Sequence, residues 1–370
     1  MLSADVAVDR REFAVAAELA VAPGERLALF GPSGAGKTTL LEVIAGLVAP
    51  ARGRVELNGR LLTSAGPPAR AVPPWQRRIG LLRQDPALFP HLPVRGNLGY
   101  ALPRHRGGTG QAGQAGQAEL TGLAGRLGLD GLLAEMPARL SGGQAHRVAL
   151  GRLLLAPCEA LLLDEPFTGL DAGLRRSLTE LVAALVADRQ VPAILVAHEL
   201  ADAQAFGDRL AILDRGELLQ CGPPGQVVRR PASRRVAELA GYLGFVPAPA
   251  GDATGAVAGV HPDRVVPGAH PERGVVLAGL VTGRRPAGAR WEADLTVPVP
   301  AGPAAGPAAG PVTGTAASRE VTVVCRLDDR PGDGPLTVTA VDPPRFGPDG
   351  TARPARTAEP GLAPPGTVQA

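Results

Sequence analysis

The chain holds 38 basic side chains, and only one of them is a lysine. It stands at position 37, inside the run GPSGAGKTT from Gly31 to Thr39. Lysine offers a compact ammonium on a thin stem, whereas arginine offers a wide planar fork. A chain this biased toward arginine keeps an ammonium where a fork would not fit. A tight loop wrapped around phosphates is such a place. Gly31, Gly36, Lys37 and Thr38 fit G-x-x-x-x-G-K-[ST], with Pro32, Ser33, Gly34 and Ala35 between them and Thr39 after. Glycines let backbone N–H groups turn inward on an anion, and a helix N-terminus adds its dipole at the same spot. Lys37 would reach the β- and γ-phosphates, and Thr38 would offer a hydroxyl to Mg²⁺. Given Lys37, the other required residues would fall into place by chance about once in a thousand in this composition.

A second candidate lies at LLLDEP, where Asp164 and Glu165 end an apolar run. An acidic pair there could simply cap a strand at the surface. Following a phosphate loop, Asp164 would instead hold Mg²⁺ and Glu165 would act as general base on the attacking water. Just upstream is LSGGQ, Leu140 to Gln144, opening a helical stretch. Helix capping alone explains Ser141. It explains neither Gly142 and Gly143 nor Gln144, and exposed N–H groups at a helix start suit an anion. His198 follows an apolar run and, taken alone, reads as a structural histidine.

Strands alternating with helices must position these residues. RLALF (26–30) reads as a strand, KTTLLEVIAGL (37–47) as a helix, and ALLLDEP (160–166) and AILVAH (193–198) as buried strands. Such alternation implies a parallel sheet covered on both faces. RLAILDRGELLQCG (209–222) reads as a hairpin around a DRG turn. Residues 85–158 look helical and loop-like, and the QAG repetition in 105–119 reads as a flexible surface loop. Composition shifts near Val246. VVLAGLV, WEADLTV, EVTVVCRL and PLTVTAV then alternate as strands of a small all-β domain. The expected organisation is a nucleotide-binding α/β domain over 1–240, a linker over 241–255 and a β domain over 256–342. The run over 298–314 cannot pack as a strand; an insert over 298–318 and a Pro-rich tail over 343–370 are expected to be disordered.

The net charge of +3 and pI of about 9.1 fit a solvated Arg-rich surface. No basic stripe interleaved with aromatics points to nucleic acid. No apolar run approaches the ~18 residues of a membrane helix, and MLSADVAVDRREF lacks the apolar core of a signal peptide. A cytosolic chain that could reach a membrane through a partner is expected. Cys158, Cys221 and Cys325 follow no metal or disulfide spacing and read as reduced.

Taken together, the residues resemble the ATP-binding cassette family, the ATPase subunits of ABC transporters. The resemblance covers about 1–235. Its motifs come in the family's order: 31–38, Gln84, LSGGQ at 140–144, LLLDEP at 161–166, GLD at 169–171 and His198. It implies a P-loop domain with a RecA-like sheet and a helical subdomain over about 85–158. It further implies that Gln84 contacts Mg²⁺ and the attacking water and relays movement to a membrane partner. Asp171 would lie in the loop that communicates across a dimer, and His198 would touch the γ-phosphate. Two cassettes would face head to tail, so that Ser141, Gly142, Gly143 and Gln144 of one close over ATP held by the other. The family stacks adenine on an aromatic near the N-terminus. Phe13 is the nearby candidate, and a core role explains it equally well. TGLD stands in place of the more usual SALD, and Arg83 precedes Gln84 where an aromatic is common.

Within the family, RRIGLLRQDPALFPHLPVRGNLGYAL (77–102) is similar to ATPases of molybdate importers. It is less closely similar to those of sulfate, ferric iron and polyamine importers. These often carry an OB-like domain after the cassette, and VAGVHPDRVV (257–266) resembles its opening, with His261 replacing an Arg. That domain would either bind the oxyanion or support the dimer. The implied protein is a peripheral ATPase on the cytoplasmic face of the membrane, a homodimer working with permease subunits and, indirectly, a substrate-binding protein. A soluble ABC ATPase outside transport usually carries two cassettes or long coiled-coil inserts, and neither is present.

Overall fold

The computed structural model describes residues 1–10, 13–102, 111–247, 256–269, 273–299, 319–328, 330–331, 335–341 and 343–353. The chain folds as two units, Met1–Val228 and Arg229–Ala370.

The first unit is built on one eleven-stranded sheet. Its strands are β1 (Leu2–Asp9), β2 (Ala14–Val21), β3 (Arg26–Phe30), β4 (Arg52–Leu57), β5 (Arg60–Ser64), β6 (Arg70–Ala71), β7 (Ile79–Leu82), β8 (Ala160–Asp164), β9 (Ala193–Ala197), β10 (Arg209–Asp214) and β11 (Glu217–Gly222). They lie in the order β6-β5-β4-β1-β2-β11-β10-β3-β9-β8-β7. From β10 to β7 every neighbour is parallel. Every residue of β8 and β9 is buried, which is why these runs read as unbroken apolar stretches. Most of the remaining half is antiparallel. There β2 alternates strictly between exposed and buried, with Val15, Ala17, Leu19 and Val21 inward, the pattern of a sheet with one wet face.

Helix α1 (Lys37–Ala45) follows β3 and buries Leu40, Leu41, Val43 and Ile44. It is succeeded by α2 (Val94–Gly99), α3 (Gln111–Arg126), α4 (Gly142–Leu155), α5 (Ala172–Arg189), α6 (Leu200–Phe206) and α7 (Pro224–Arg229). Helix α3 is a correction. Residues 111–119, expected as loop, are helical, and 103–110 lie outside the described residues. The repeat is glycine-rich and weakly helical by propensity. However, Leu120 and Ala124 stand at helical spacing and Leu127 just past the last turn, all at most 1% exposed, so tertiary packing anchors the C-terminal half of the helix. The expected hairpin forms as β10 and β11, antiparallel around Arg215–Gly216.

The second unit opens with α8 (Arg234–Leu239) and β12 (Gly244–Pro247). By composition these residues fell in the first domain and the linker, but they sit in the second compact unit. Strand β12 pairs with β13 (Val257–Val260). The four expected alternating runs are found in β15 (Gly274–Ala287), β16 (Arg290–Val299), β17 (Arg319–Leu327) and β18 (Pro335–Val341). With β14 (Val265–Pro267) they form a five-stranded antiparallel sheet. Residues 343–353, within the expected tail, include the short strands β19 (Arg345–Phe346) and β20 (Ala352–Arg353), which join β12 and β13 in a second sheet. The core holds Leu295, Val323, Cys325 and Val338. Burial pushes the Cys325 thiol up to about 12, so it behaves as a small apolar side chain. Pro298 and Val299, expected in the run that could not pack as a strand, instead end β16, paired with Glu320 and Arg319 of the neighbouring strand; residues 300–318 of the insert and 354–370 of the tail lie outside the described residues.

Candidate functional site

The sharp turn between β3 and α1 forms because glycines stand where side chains cannot. A Cβ on Gly31 would lie 1.9 Å from the Leu213 carbonyl oxygen. Gly36 caps α1 with a φ of 103°, and a Cβ there would meet Val15 at 2.6 Å. The neighbouring hairpin braces the loop from outside, since the Gly216 N–H donates to the Ala35 carbonyl at 2.9 Å.

Lys37 is only 7% exposed. Its ammonium donates to the carbonyls of Gly31 at 2.8 Å and Pro32 at 2.9 Å. An ammonium has three donors, so the third is available for a ligand. Burial lowers its pKa, partly offset by the nearby charges of Glu165 and Asp164. Thr38 donates its hydroxyl to Asp164 Oδ2 at 2.8 Å. Asp164 is 2% exposed, and its other oxygen, Oδ1, has no hydrogen-bond partner. Burial raises its pKa, while the Thr38 hydrogen bond opposes the rise. A hydroxyl, an orphaned carboxylate oxygen and the Gln84 amide are hard oxygen donors. One carboxylate completed by ligand phosphates is how Mg²⁺ is commonly held, so the donor set fits that ion.

Ser33, Gly34, Gly36, Lys37, Thr38, Thr39, Gln84 and Glu165 line one cavity of 230 Å³. Glu165 enters it because the chain bends at the end of β8. Its φ is 50°, left-handed backbone that is unusual outside glycine, and its N–H is held by the Val196 carbonyl at 3.1 Å. His198, exposed just beyond β9, shares a smaller cavity of 70 Å³ with Glu165. Arg175 lines that cavity too, bonded to Glu199 at 3.1 Å, Asp202 at 3.3 Å and the Leu170 carbonyl at 3.4 Å. It thereby ties the loop of Asp171 to that of His198. Asp171 caps α5, accepting from the N–H groups of Gly173 and Leu174 at 3.0 Å.

The signature residues stand apart. Ser141 caps α4, and Gln144 returns the bond to the Ser141 N–H at 2.8 Å. Ser141 and Gly142 are exposed, and none of residues 140–144 lines the 230 Å³ cavity. Phe13, half-buried, packs on the core beside Gly216.

Sequence reasoning missed three supporting residues. Arg77, 2% exposed, donates to the carbonyls of Ile44 at 2.9 Å and Val72 at 2.8 Å, and to the Thr63 hydroxyl at 2.8 Å. It therefore holds the C-terminal end of the phosphate-loop helix, where a cation complements the dipole. His146 on α4 faces the main chain of Gln84. Arg152, also on α4, donates to the Pro86 and Ala87 carbonyls at 3.2 and 3.1 Å and stacks 5.1 Å over Phe89. The helix that carries the signature thus grips the loop that carries Gln84. In an arginine-rich chain nothing marks out these arginines. Asn97 accounts for the FPHLPVRGN run: it is fully buried, bonding Phe89 at both N–H and carbonyl, and the Leu92 carbonyl.

The fold is that of an ATP-binding cassette. Residues 16–168 match the ABC transporter family, and the first unit has the fold of an ABC ATPase cassette. The chain is 45% identical over 231 residues to the Fe(3+) ions import ATP-binding protein FbpC of Pseudomonas fluorescens, covering 62% of each chain. It is 39% identical over 236 residues to the molybdenum import ATP-binding protein ModC of Mycobacterium tuberculosis, covering 64% of this chain and 63% of that one. The matches therefore span less than two thirds of these relatives' length. An ATP-binding subunit of an ABC transporter superposes with a TM-score of 0.53 at 27% identity, over 65% of this chain and 95% of that one. A dimeric cassette bound to ADP and Pi gives 0.51 at 25% identity, over 60% and 99%. Among the described residues, no helix is long and apolar enough to cross a membrane.

Proposed function

We propose that this chain is the ATP-hydrolysing subunit of an ABC importer whose cargo is an oxyanion, molybdate first. The observation that carries the ATPase reading is the 230 Å³ cavity itself, where Lys37, Thr38, Gln84 and Glu165 converge with Asp164 behind Thr38. Lys37 neutralises the β- and γ-phosphates. Asp164 and Thr38, with Gln84, would hold Mg²⁺, which would offset phosphate charge. Glu165 orients the attacking water and takes its proton. His198 stands beside Glu165 to contact the γ-phosphate.

The chain works as a homodimer. Ser141, Gly142, Gly143 and Gln144 lie outside their own chain's cavity, free to close over the nucleotide of a second copy. Charge-assisted bonds from both copies then hold the closed state, and loss of the γ-phosphate releases it. Partners are permease subunits in the membrane, docked on the cytoplasmic face, and a substrate-binding protein beyond them.

The molybdate reading draws on the run 77–102 and on the likeness to ModC. A second cargo, ferric iron, is favoured by the likeness to FbpC. Growth at limiting molybdate after gene deletion, with cellular molybdenum, sulfur and iron measured by mass spectrometry, separates them. Selective loss of molybdenum, restored by the wild-type gene but not by Lys37→Ala, is expected. Unchanged molybdenum with loss of iron moves the cargo to the alternative.

A further inference from the structure

Thr39 lines the phosphate cavity and is 7% exposed, yet its hydroxyl is gripped from outside the loop. Arg10, at the end of β1, donates to Thr39 Oγ1 from Nε at 3.1 Å and from Nη2 at 2.5 Å. Two guanidinium nitrogens on one hydroxyl occupy its acceptor side. The hydroxyl hydrogen then points elsewhere, and an anion is the partner that suits it. Arg10 itself is 45% exposed at its side chain, and Glu42, one turn along α1, faces it at 4.0 Å. Glu42 is also bonded to Arg83 at 3.3 Å, so among the described residues this carboxylate is shared and Arg10 keeps unspent donors. Residues Lys37 and Thr38 serve the β/γ end of a triphosphate. Thr39, the next residue on the wall, is left for the α end.

Resting on the reading that this loop binds ATP, we infer that Arg10 is a nucleotide-binding residue whose guanidinium, seated on Thr39, contacts the α-phosphate. A charge-assisted contact of this kind strengthens binding of ATP and ADP alike and is indifferent to the base. It belongs to a planar fork, which lysine reproduces only as a point charge.

Equilibrium binding of ADP, GDP and the non-hydrolysable β,γ-imido analogue of ATP to the full chain tests this, for wild type, Arg10→Ala, Arg10→Lys, Thr39→Val and Lys37→Ala. Arg10→Ala is expected to weaken both adenine nucleotides and GDP by a common factor of about ten, at an unchanged melting temperature. Arg10→Lys should recover part of the loss, and the loss should shrink as salt rises. Because Thr39 seats the guanidinium, Arg10→Ala combined with Thr39→Val should lose less affinity than the product of the two single losses. Wild-type affinity in Arg10→Ala, while Lys37→Ala binds poorly, overturns the role of Arg10 and leaves the phosphate loop standing. So does a loss confined to the triphosphate, or a double variant whose loss is the full product of the two single losses. Wild-type affinity in Lys37→Ala would overturn the phosphate-loop reading, and Arg10 with it.

Discussion

Thr38 and Asp164 are separated by 126 residues of chain and joined by a 2.8 Å hydrogen bond. One opens the helix after β3 and the other ends β8, two parallel strands with β9 between them. The parallel sheet brings the two strand ends to one edge, where a loop, a cation and a carboxylate can share a ligand. The orphaned Oδ1 of Asp164 shows that this carboxylate is not spent on the fold.

Asp164→Asn removes the charge while keeping the shape. Burial raises the pKa of Asp164, so its ionised form costs the folded state free energy above the ordinary carboxylate range. The amide should therefore fold at least as well at neutral pH. Mg²⁺-dependent ATP turnover should fall by about 100-fold or more. Phosphate release beside a calorimetric melt checks both parts, and normal turnover would contradict the assignment of Asp164.

Arg77→Met leaves the Ile44 and Val72 carbonyls and the Thr63 hydroxyl without their partner. Orphaned buried acceptors cost about 1–3 kcal/mol each at most, and partial relaxation makes about 3 kcal/mol in total the expected loss. For a unit of this size the melting temperature should drop by roughly 6–12 °C. A melt within a degree of wild type would show that Arg77 does not hold α1.

Gly31→Ala sets a Cβ 1.9 Å from a backbone oxygen, which cannot step aside as a side chain can. Gly34 also has a positive φ, 81°, but faces open space. Alanine at 34 should cost about 1–2 kcal/mol of strain, while alanine at 31 should cost clearly more and abolish nucleotide binding. Comparing the two by chemical denaturation is decisive: equal losses would remove the close approach to Leu213 as the reason for Gly31.

His146 has its pKa lowered chiefly by burial, with the Gln84 main chain opposing the shift. The unfolded chain then binds a proton more readily in the window below about 6.5. In that window stability rises with pH, and is lost as pH falls toward the folded-state value. His146→Gln removes this part of the acid sensitivity. Melting temperature followed from pH 7.5 to 5 should fall less in the variant than in wild type. Parallel curves would refute the claim.

Much of the candidate site was legible because phosphate chemistry restricts residue types over short spacings. Gly31, Gly36, Lys37 and Thr38 lie within eight residues, and Asp164 and Glu165 end a run whose burial is written in leucines. The supports were not legible. Arg77, Arg152 and His146 act through main-chain atoms distant in sequence, and carbonyls leave no trace in composition. Helix α3 was hidden for the opposite reason: its local composition argues for loop, and only packing of Leu120, Ala124 and Leu127 overrules it. Composition also drew the domain boundary at the onset of Pro and Gly, whereas α8, expected in the first domain, and β12, expected in the linker, sit in the second unit.

The central claim is that Glu165 makes this cavity hydrolytic. ATP turnover and oligomeric state of Glu165→Gln, measured together by phosphate release and light scattering, test it most directly. Turnover should fall by about 100-fold or more, with ATP retained and the chain held as a dimer. Turnover at the wild-type rate would contradict it.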